Sequence, residues 1–404
     1  MSVGRQLHLV SYYFAPLGRA DGVNRTYLAK HLAEQGWDLN VVSCGNPHGF
    51  LRNFQEDPSL LEVLPASVTL RRVKCPYWGP LGDLAVMAKL TRDPFLNWVW
   101  AVKRRWQTLF PSPGILYAIV PPIANAFVAL HVRRMTGWPL TVDFRDDVRC
   151  LPHDLMTDTD LVVASTDRSL GNMLALYRIP PDRGVTVYNG FGHGTPPTEG
   201  PPEDARLRIV FAGLLNSDQD PCMIARACNG LSERSPELRG RVQLDFFGPE
   251  NYYTQFFLRR HLNANVRFRG YVPLAHMLRE IAHADVGCST LTTAGNAYRI
   301  PSKVFQYLAM ERPILATGPE GALKDFVLQH NIGRFSRADD MEGQMADILF
   351  FLEHPEERQR MVENIRRIKP EFSMANQVAK LSGRLEALLG DANAGGSLHH
   401  EHDG

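Results

Sequence analysis

The sequence lacks several features that would assign it to a common class. Lys and Arg number 44 against 43 Asp and Glu, so the chain has no excess of positive charge for binding nucleic acid. Its six cysteines include no C-x-x-C pair and no histidines at zinc-finger spacing, which favours buried thiols in a reducing compartment over disulfides or a structural metal. The longest apolar stretch, 114–132, is interrupted by Pro121-Pro122, and therefore predicts a strand, a turn and a helix, not a membrane span. Residues 1–6 are too short and polar to precede a signal-peptide core, so we expect a soluble, cytoplasmic protein.

What is present is a regular alternation of short apolar runs with helical stretches, typical of an α/β fold with mostly parallel sheets. The helix Arg25–Gln35, for example, is stopped by Gly36 before the next strand begins. The predicted strands are Leu7–Tyr13, Asp38–Ser43, Val68–Val73, Ile115–Val120, Leu140–Phe144, Leu161–Ser165, Arg208–Phe211, Gln243–Phe247, Val266–Phe268, Asp285–Ser289 and Pro313–Thr317. Two similar halves predict two doubly wound, Rossmann-like domains facing each other across a cleft, with ligands beyond the carboxyl ends of the strands.

The domain boundaries follow from composition. The segment 192–204 is rich in Gly, Pro and acidic residues, which indicates an exposed connection, and the last residues, 391–404, have the low complexity of a disordered tail. Pro355–Leu389 is strongly helical and broken near Pro370. We predict a first Rossmann-like domain at 1–187, a connection at 188–207, a second Rossmann-like domain at 208–370, a closing helix at 371–390 and the tail at 391–404.

Charged residues end one buried strand of the first half. The segment VDFRDDV places Asp143, Arg145 and Asp146 where the cleft is expected. An arginine there can neutralise a phosphate or a developing oxyanion, and a neighbouring Asp can orient it. A purely structural Arg–Asp pair is the alternative.

Glycines mark further strand ends at which a backbone can approach a ligand. Gly213 and Gly248 follow strands of the second half, and Asn189 lies where the chain passes between the domains. The first loop, 14–24, contributes Gly18, Gly22 and Asn24 as a phosphate or acceptor loop at a helix N-terminus. It lacks G-x-G-x-x-G, so a nicotinamide dinucleotide is not supported, and a plain turn is as good an interpretation.

The most informative stretch is YRIPSKVFQYLAMERPILAT, 298–317. Ser302 is predicted to cap a helix that Lys303 opens, so the ammonium and the helix dipole can share one anion, such as the diphosphate of a nucleotide-sugar. Gln306, one turn on, can hydrogen-bond a ribose or sugar hydroxyl. Tyr298 and Arg299 precede the same helix and complete the predicted donor site. An exposed helix start with a chance lysine is the weaker alternative.

A different signal lies at Pro94–Phe110, where three tryptophans alternate with basic residues. Such a helix can lie in a membrane interface, which would place the protein at the inner face of the cytoplasmic membrane. A packed helix with a solvated basic edge explains the same pattern.

Taken in order, the motifs resemble those of the GT-B-fold, retaining, nucleotide-sugar-dependent glycosyltransferases that include sucrose and glycogen synthases, and most closely the bacterial surface-polysaccharide members of the family 4 type. The resemblance covers residues 6–390. It consists of YYFAPLGRADGVNRTYLAKHLAEQGWDLNVV, DFRD, NGF, the start G-x-x-x-x-x-Q-D-P of the second half, ADVGCST and PSKVFQYLAMERPILA.

The resemblance implies a donor nucleotide-sugar bound by the C-terminal domain and a saccharide, lipid-linked or small-molecule acceptor bound by the N-terminal one. Arg145 stands where many relatives have a catalytic His. Tyr298 and Gln306 stand where relatives carry the two carboxylates of Glu-x7-Glu. We expect Lys303, with Arg299, to stabilise the departing diphosphate, so that neither a metal nor a cofactor is needed. The missing carboxylates leave two other functions open, an inactive partner subunit and a sugar-nucleotide epimerase.

Overall fold

A computed structural model describes residues 5–18, 20–47, 56–77, 79–90, 94–192, 200–202, 204 and 206–398. The chain divides into two compact units. Unit 1 comprises Met1–Asn189 together with Met374–Gly404, and unit 2 comprises Gly190–Ser373.

Unit 1 is built on a parallel sheet whose strand order is β3-β2-β1-β4-β5-β6-β7. The order reverses at β1, which pairs with β2 on one side and with β4 on the other, as in a doubly wound fold. Its strands are β1 Gln6–Val10, β2 Asp38–Cys44, β3 Thr69–Val73, β4 Ile115–Val120, β5 Leu140–Phe144, β6 Leu161–Ala164 and β7 Gly184–Thr186. Strands β4 and β5 are buried throughout, as expected for a sheet covered on both faces.

Two apolar clusters of unit 1 contain alternate residues of these strands, since successive side chains point to opposite faces of the sheet. The helices of unit 1 are α1 Ala20–Glu34, α2 Ser59–Glu62, α3 Pro80–Met87, α4 Pro94–Lys103, α5 Trp106–Leu109, α6 Ala124–Thr136, α7 His153–Thr157, α8 Asp167–Tyr177 and α15 Met374–Leu398. Helix α15 comes from the end of the chain and packs beside α1.

Unit 2 repeats the plan with the strand order β10-β9-β8-β11-β12-β13. Its strands are β8 Leu207–Ala212, β9 Val242–Phe247, β10 Val266–Gly270, β11 Val286–Thr290, β12 Ile314–Gly318 and β13 Gly333–Arg337. Its helices are α9 Cys222–Arg234, α10 Leu274–His283, α11 Ser302–Ala309, α12 Ala322–Gln329, α13 Met341–Glu353 and α14 Pro355–Ile368. The order again reverses at the first strand, because β8 lies between β9 and β11.

The predicted alternation is confirmed in type and order, with ends displaced by at most a few residues. The stretch 114–132 is a strand, a turn and a helix, as its prolines predict. Two short edge strands, β7 and β13, were not predicted, because neither has a sustained apolar run. Helix α1 begins at Ala20, five residues before the predicted start, so Gly22 and Asn24 belong to the helix instead of the loop.

The end of the chain also differs from expectation. Helix α15 continues to Leu398, beyond the predicted end of the closing helix at 390, and residues 399–404 lie outside the described residues. All six cysteines are free thiols, and Cys150 alone among them is exposed. No helix in the described ranges is long and apolar enough to cross a membrane.

Candidate functional site

The carboxyl edge of the unit 2 sheet holds a buried ammonium group. Lys303 is the second residue of α11 and is only 6% exposed. Its Nζ lies 3.3 Å from the centroid of the Phe211 ring at the end of β8. Within the described part of the chain, Nζ has no hydrogen-bond partner. The contact with the aromatic face stabilises the cation in part but supplies no acceptor oxygen.

Burial and charge set the protonation of this group. Burial lowers the pKa of Lys303 to about 7, since the ammonium form loses its hydration, and Arg299 lowers it further while Cys288 opposes the shift. An anion beside Nζ would reverse this effect because it stabilises the charged form. A buried, unpaired cation is therefore suited to a negatively charged ligand.

One glycine lies beside the ammonium, and a second packs against the first. A Cβ on Gly213 would stand 3.6 Å from Nζ of Lys303, and the residue has a φ of +126°, which side chains disfavour. A Cβ on Gly248 would lie 2.2 Å from the carbonyl oxygen of Gly213, so the turns after β8 and β9 approach each other closely. The half-buried backbone of Gly213 thus lies next to Lys303, and Gly248 is buried against Gly213.

Tyr307 holds α11 in this position. Its hydroxyl donates to the carbonyl oxygen of Cys288 at 2.8 Å and accepts from the N–H of Ala212 at 3.1 Å, joining β11 to β8. The Tyr307 ring packs over Gly287, where a Cβ would come within 2.3 Å of the ring. The start of α11, with its free backbone N–H groups, consequently lies at the strand ends.

The other predicted donor-site residues surround the start of α11. The helix is capped by Pro301, so Ser302 is its first residue and not the predicted N-cap. Arg299 donates to Oδ1 of Asn296 at 3.4 Å, and Tyr298 and Gln306 are both half-buried. All of these predicted residues lie in unit 2, namely Tyr298, Arg299, Ser302, Lys303, Gln306, Gly213 and Gly248.

Two further polar groups at this edge were missed from the sequence. The hydroxyl oxygens of Ser289 and Thr290, the last residues of β11, are buried and have no hydrogen-bond partner among the described residues. The loop after β11 is tied to the one after β8, since Thr292 Oγ1 accepts from the N–H of Asp220 at 3.1 Å. The sequence did carry a signal for these two residues, because the apolar run in ADVGCST ends in the polar pair Ser289 and Thr290.

Two of the residues predicted in unit 1, Arg145 and Asp143, form an ion pair that several hydrogen bonds hold in place. Arg145 donates from Nε and Nη2 to the same carboxylate oxygen of Asp143, at 2.9 and 2.6 Å. That oxygen also accepts from the hydroxyl of Tyr117 at 2.8 Å, and Asp143 is fully buried. Nη1 of Arg145 contacts the carbonyl oxygen of Val187 at 3.1 Å and Oδ1 of Asn189 at 3.4 Å. Most of the guanidinium donors are therefore occupied within unit 1.

Three predicted site residues lie beside Arg145 in unit 1. Asn189, predicted to bind the donor, lies in unit 1 against Arg145. Asp146 is half-buried directly after Arg145. Oδ1 of Asp143 has no hydrogen-bond partner within the described residues, so the pair retains one unused acceptor.

The first loop is also held by an arginine that was not predicted. Arg25 is buried, and its guanidinium donates to the carbonyl oxygens of Pro121 at 2.6 Å and Tyr13 at 3.1 Å. Gly22 is required to be small, because a Cβ there would lie 2.1 Å from the carbonyl oxygen of Leu17. Gly18 and Asn24 are half-buried on either side. This turn is shaped chiefly by packing.

The remaining features of the described residues do not add a second centre. Nowhere in the described ranges do three or more His, Cys, Asp or Glu side chains come together so that they could hold a metal ion. A cavity of about 290 Å³ in unit 2 opens on a face of the sheet and is lined by charged residues such as Asp245 and Arg267, with no predicted site residue.

Comparison with known proteins is consistent with this architecture. A family described as "Glycosyl transferase-like" matches residues 226–383, which is less than half of the chain. No curated protein sequence matches. Among solved structures, a glycosyltransferase from Rickettsia africae superposes with a TM-score of 0.63 at 15% identity, covering 95% of this chain and 98% of its own.

Two further neighbours were solved with nucleotides. Anabaena HepE in complex with UDP gives a TM-score of 0.62 at 14% identity, covering 95% of this chain and 99% of that one. A mutant of S. aureus TarM in complex with fondaparinux, alpha-GlcNAc-glycerol and UDP gives 0.68 at 8% identity, covering 94% and 99%. With two Rossmann-like units and these neighbours, the chain has the α/β GT-B fold that the sequence predicts.

Proposed function

We propose that the protein is a glycosyltransferase that moves a sugar from a nucleotide-sugar to an acceptor hydroxyl, in polysaccharide or glycoconjugate biosynthesis. The observation that carries the proposal is the buried ammonium of Lys303, which has no hydrogen-bond partner among the described residues and lies at the start of α11 beside Gly213. A diphosphate supplies the acceptor oxygens that this ammonium lacks. The family match over unit 2 and the UDP bound by two structural neighbours support a nucleotide at this edge.

The proposed reaction proceeds with retention of configuration. The bond between the sugar and the diphosphate loosens while the acceptor hydroxyl approaches on the same face. The leaving phosphate oxygen takes the proton of that hydroxyl, so no separate base is needed. Lys303 stabilises the negative charge that develops on the diphosphate, an electrostatic contribution that replaces a divalent cation in this proposal. We propose that the acceptor is a saccharide, either lipid-linked or small, bound by unit 1.

Calorimetric titration with UDP, GDP, dTDP and CDP tests the donor site. We expect UDP to bind best and Lys303→Met, which keeps the volume but loses the charge, to weaken binding at least about tenfold, as for a lost charge-assisted hydrogen bond. Lys380→Met, at an exposed lysine of α15 in unit 1, is the matched control and should bind as wild type. Binding that is unchanged in Lys303→Met would overturn the assignment of the site.

Turnover of the nucleotide-sugar tests the reaction. We expect Arg145→Gln to reduce kcat while leaving the affinity for UDP within about twofold, because Arg145 lies in unit 1. Chelators should not change the rate, and the anomeric configuration of the product, read by NMR, should match that of the donor. An inverted product would contradict the retaining mechanism.

A second function has one specific observation in its favour. Gln306 and Tyr298 flank the start of α11 without the carboxylates that the resembling enzymes carry there. We propose, as the alternative, an inactive partner subunit that supports another glycosyltransferase. A chain that binds UDP without turning over any UDP-sugar, yet accelerates a partner enzyme, would favour this alternative.

A further inference from the structure

Unit 1 carries a helix whose apolar side is exposed. In α3 and the turn after it, Leu81, Leu84, Met87 and Leu90 are 72%, 61%, 63% and 78% exposed. Leu81, Leu84 and Met87 are three residues apart in α3 and share one broad side of the helix, and Leu90 follows in the turn after it. The acidic side chain of this segment, Asp83, is buried and bonded to the hydroxyl of Tyr77. Single exposed leucines are ordinary, but three apolar side chains on one side of a short helix, with a fourth in the turn after it, form an exposed apolar patch.

Helix α4 carries two further exposed apolar side chains. Leu96 and Trp100, four residues apart on one side of α4, are both exposed, whereas Trp98 between them is fully buried. The two helices are held close together, because Tyr77 contacts Asp83 in α3 and the neighbouring Pro76 carbonyl accepts from Asn97 in α4 at 3.3 Å. We call the set Leu81, Leu84, Met87, Leu90, Leu96 and Trp100 the apolar face.

The tryptophan pattern that suggested a membrane helix therefore has a different explanation. Trp98 is buried in the core of unit 1 and Trp106 packs against it, so two of the three tryptophans stabilise the fold. Of the three tryptophans, Trp100 is the most exposed, at 48%. The apolar face lies mainly on α3, which the sequence did not single out.

Cationic groups border the apolar face at the end of α4. Lys103 follows Leu96 and Trp100 on the same side of the helix and lines a cavity of about 220 Å³ together with His131 and Arg134. Burial, and then Arg134, lower the pKa of Lys103, which shows how closely the positive charges are grouped. The Arg104 guanidinium lies 4.5 Å from the Trp100 ring centroid. One carboxylate in the cavity lining, Asp154, is paired with Arg134 at 2.5 Å.

We propose that the apolar face and the cationic cavity beside it dock the protein on the surface of a bilayer that contains anionic phospholipids. Leucine and methionine side chains would enter the acyl boundary, Trp100 would lie at the level of the headgroups, and the cavity would hold a lipid phosphate. A second protein surface would have to match both an apolar ridge and a set of cations, whereas an anionic bilayer supplies both complements. This proposal is independent of the donor site in unit 2.

Co-sedimentation of the full chain with vesicles tests the docking. Binding to vesicles with about a third phosphatidylglycerol should exceed binding to pure phosphatidylcholine vesicles, since basic groups near the surface add to the attraction. The variant Leu84→Glu with Met87→Glu should bind at least about tenfold more weakly, because two apolar side chains that would enter the acyl boundary are replaced by charges. Lys103→Gln should weaken binding to the anionic vesicles alone. Leu176→Glu, at an exposed leucine of α8 in the same unit, is the matched control and should bind as wild type.

Three outcomes would overturn the proposal. They are a wild type that does not bind anionic vesicles, a double variant that binds as well as wild type, and a wild-type dimer in light scattering that the double variant converts to monomer. The last would assign the apolar face to a second copy of the chain. Circular dichroism of each variant shows whether the protein is folded, and UDP titration shows whether the donor site is intact. Failure of the membrane-docking proposal is therefore distinguishable from failure of the proposed function.

Discussion

Lys303 combines burial with a lack of hydrogen bonds among the described residues, and this combination has a measurable consequence. In the free protein the pKa of Lys303 is lowered to about 7 by burial, so near neutral pH part of the population carries no charge at this position. A diphosphate binds the ammonium form. Binding above pH 7 must therefore be accompanied by uptake of a proton.

We predict that the affinity for UDP falls as the pH rises from 7 to 9, by up to about tenfold per unit, because the protonated fraction of Lys303 falls in the same way. Calorimetry at pH 8 in two buffers with different ionisation enthalpies should show close to one proton taken up per UDP bound. The Lys303→Met variant removes the titrating group and should lose both effects. Equal proton uptake in wild type and variant would contradict the assignment.

Arg145 shows why a residue type at a strand end does not by itself define a role. Its contacts to Asp143, Val187 and Asn189 join the end of β5 to the chain segment after β7. A guanidinium with these contacts holds the neighbouring backbone in position. Its action on the donor sugar stays a prediction. The sequence identifies the cation and its neighbour Asp143, whereas its other partners, Val187 and Asn189, are more than forty positions away.

At the scale of an element, the position of α11 depends on one glycine. Tyr307 anchors the helix to β8 and β11, and its ring fills the space above Gly287. Helix propensity favours a helix at these residues but does not determine where that helix lies against the sheet. The packing of one ring against one glycine determines that its first turn lies at the strand ends.

We predict that Gly287→Ala destabilises unit 2 by about 1–3 kcal/mol or more and abolishes nucleotide binding, because the added Cβ overlaps a fully buried ring and α11 must shift. Urea unfolding and UDP titration measure the two effects. Gly295→Ala is the control, since a Cβ there meets nothing nearer than 3.8 Å. If Gly287→Ala bound UDP as tightly as wild type, the anchoring of α11 would not control the site.

At the scale of the whole molecule, the two units do not follow the order of the chain. Helix α15 comes after unit 2 in sequence but belongs to unit 1. Its buried apolar residues share one side of the helix and join the cluster that contains Leu28, Leu32 and Trp37; they are Met374, Val378, Leu381, Leu385 and Leu389. The indole N–H of Trp37 also donates to the hydroxyl of Ser382 at 2.8 Å.

We predict that unit 1 cannot fold stably without α15. Burial of five apolar side chains is worth roughly 7–15 kcal/mol, which is comparable to the entire stability of a domain. A chain that ends at Ser373 should expose Trp37, as its fluorescence would show, whereas a chain that ends at Gly390 should not.

Single substitutions give a milder form of the same test. Leu381→Ala should cost about 2–5 kcal/mol in the free energy of unfolding of unit 1, whereas Lys380→Ala, at its exposed neighbour, should cost little. Loss of unit 2 instead of unit 1 on removing α15 would contradict the division of the chain.

The sequence by itself determined the order and type of most elements, the two-domain α/β fold and, to within one residue, the start of the helix that carries Lys303. These features depend on local patterns, namely apolar periodicity, glycine and proline stops, and charges at strand ends. The edge strands β7 and β13 were missed because they are stabilised by a neighbouring strand more than by their own residues.

Only the tertiary structure decided that Lys303 is buried over Phe211, that Arg145 also contacts Val187 and Asn189, that α15 completes unit 1 and that α3 presents its leucines to solvent. Each of these depends on which distant residues meet, or on which side of a helix finds no neighbour. Burial and hydrogen-bond partners are properties of the packed molecule, and they set the charge, position and accessibility of side chains whose identity alone is visible in the sequence.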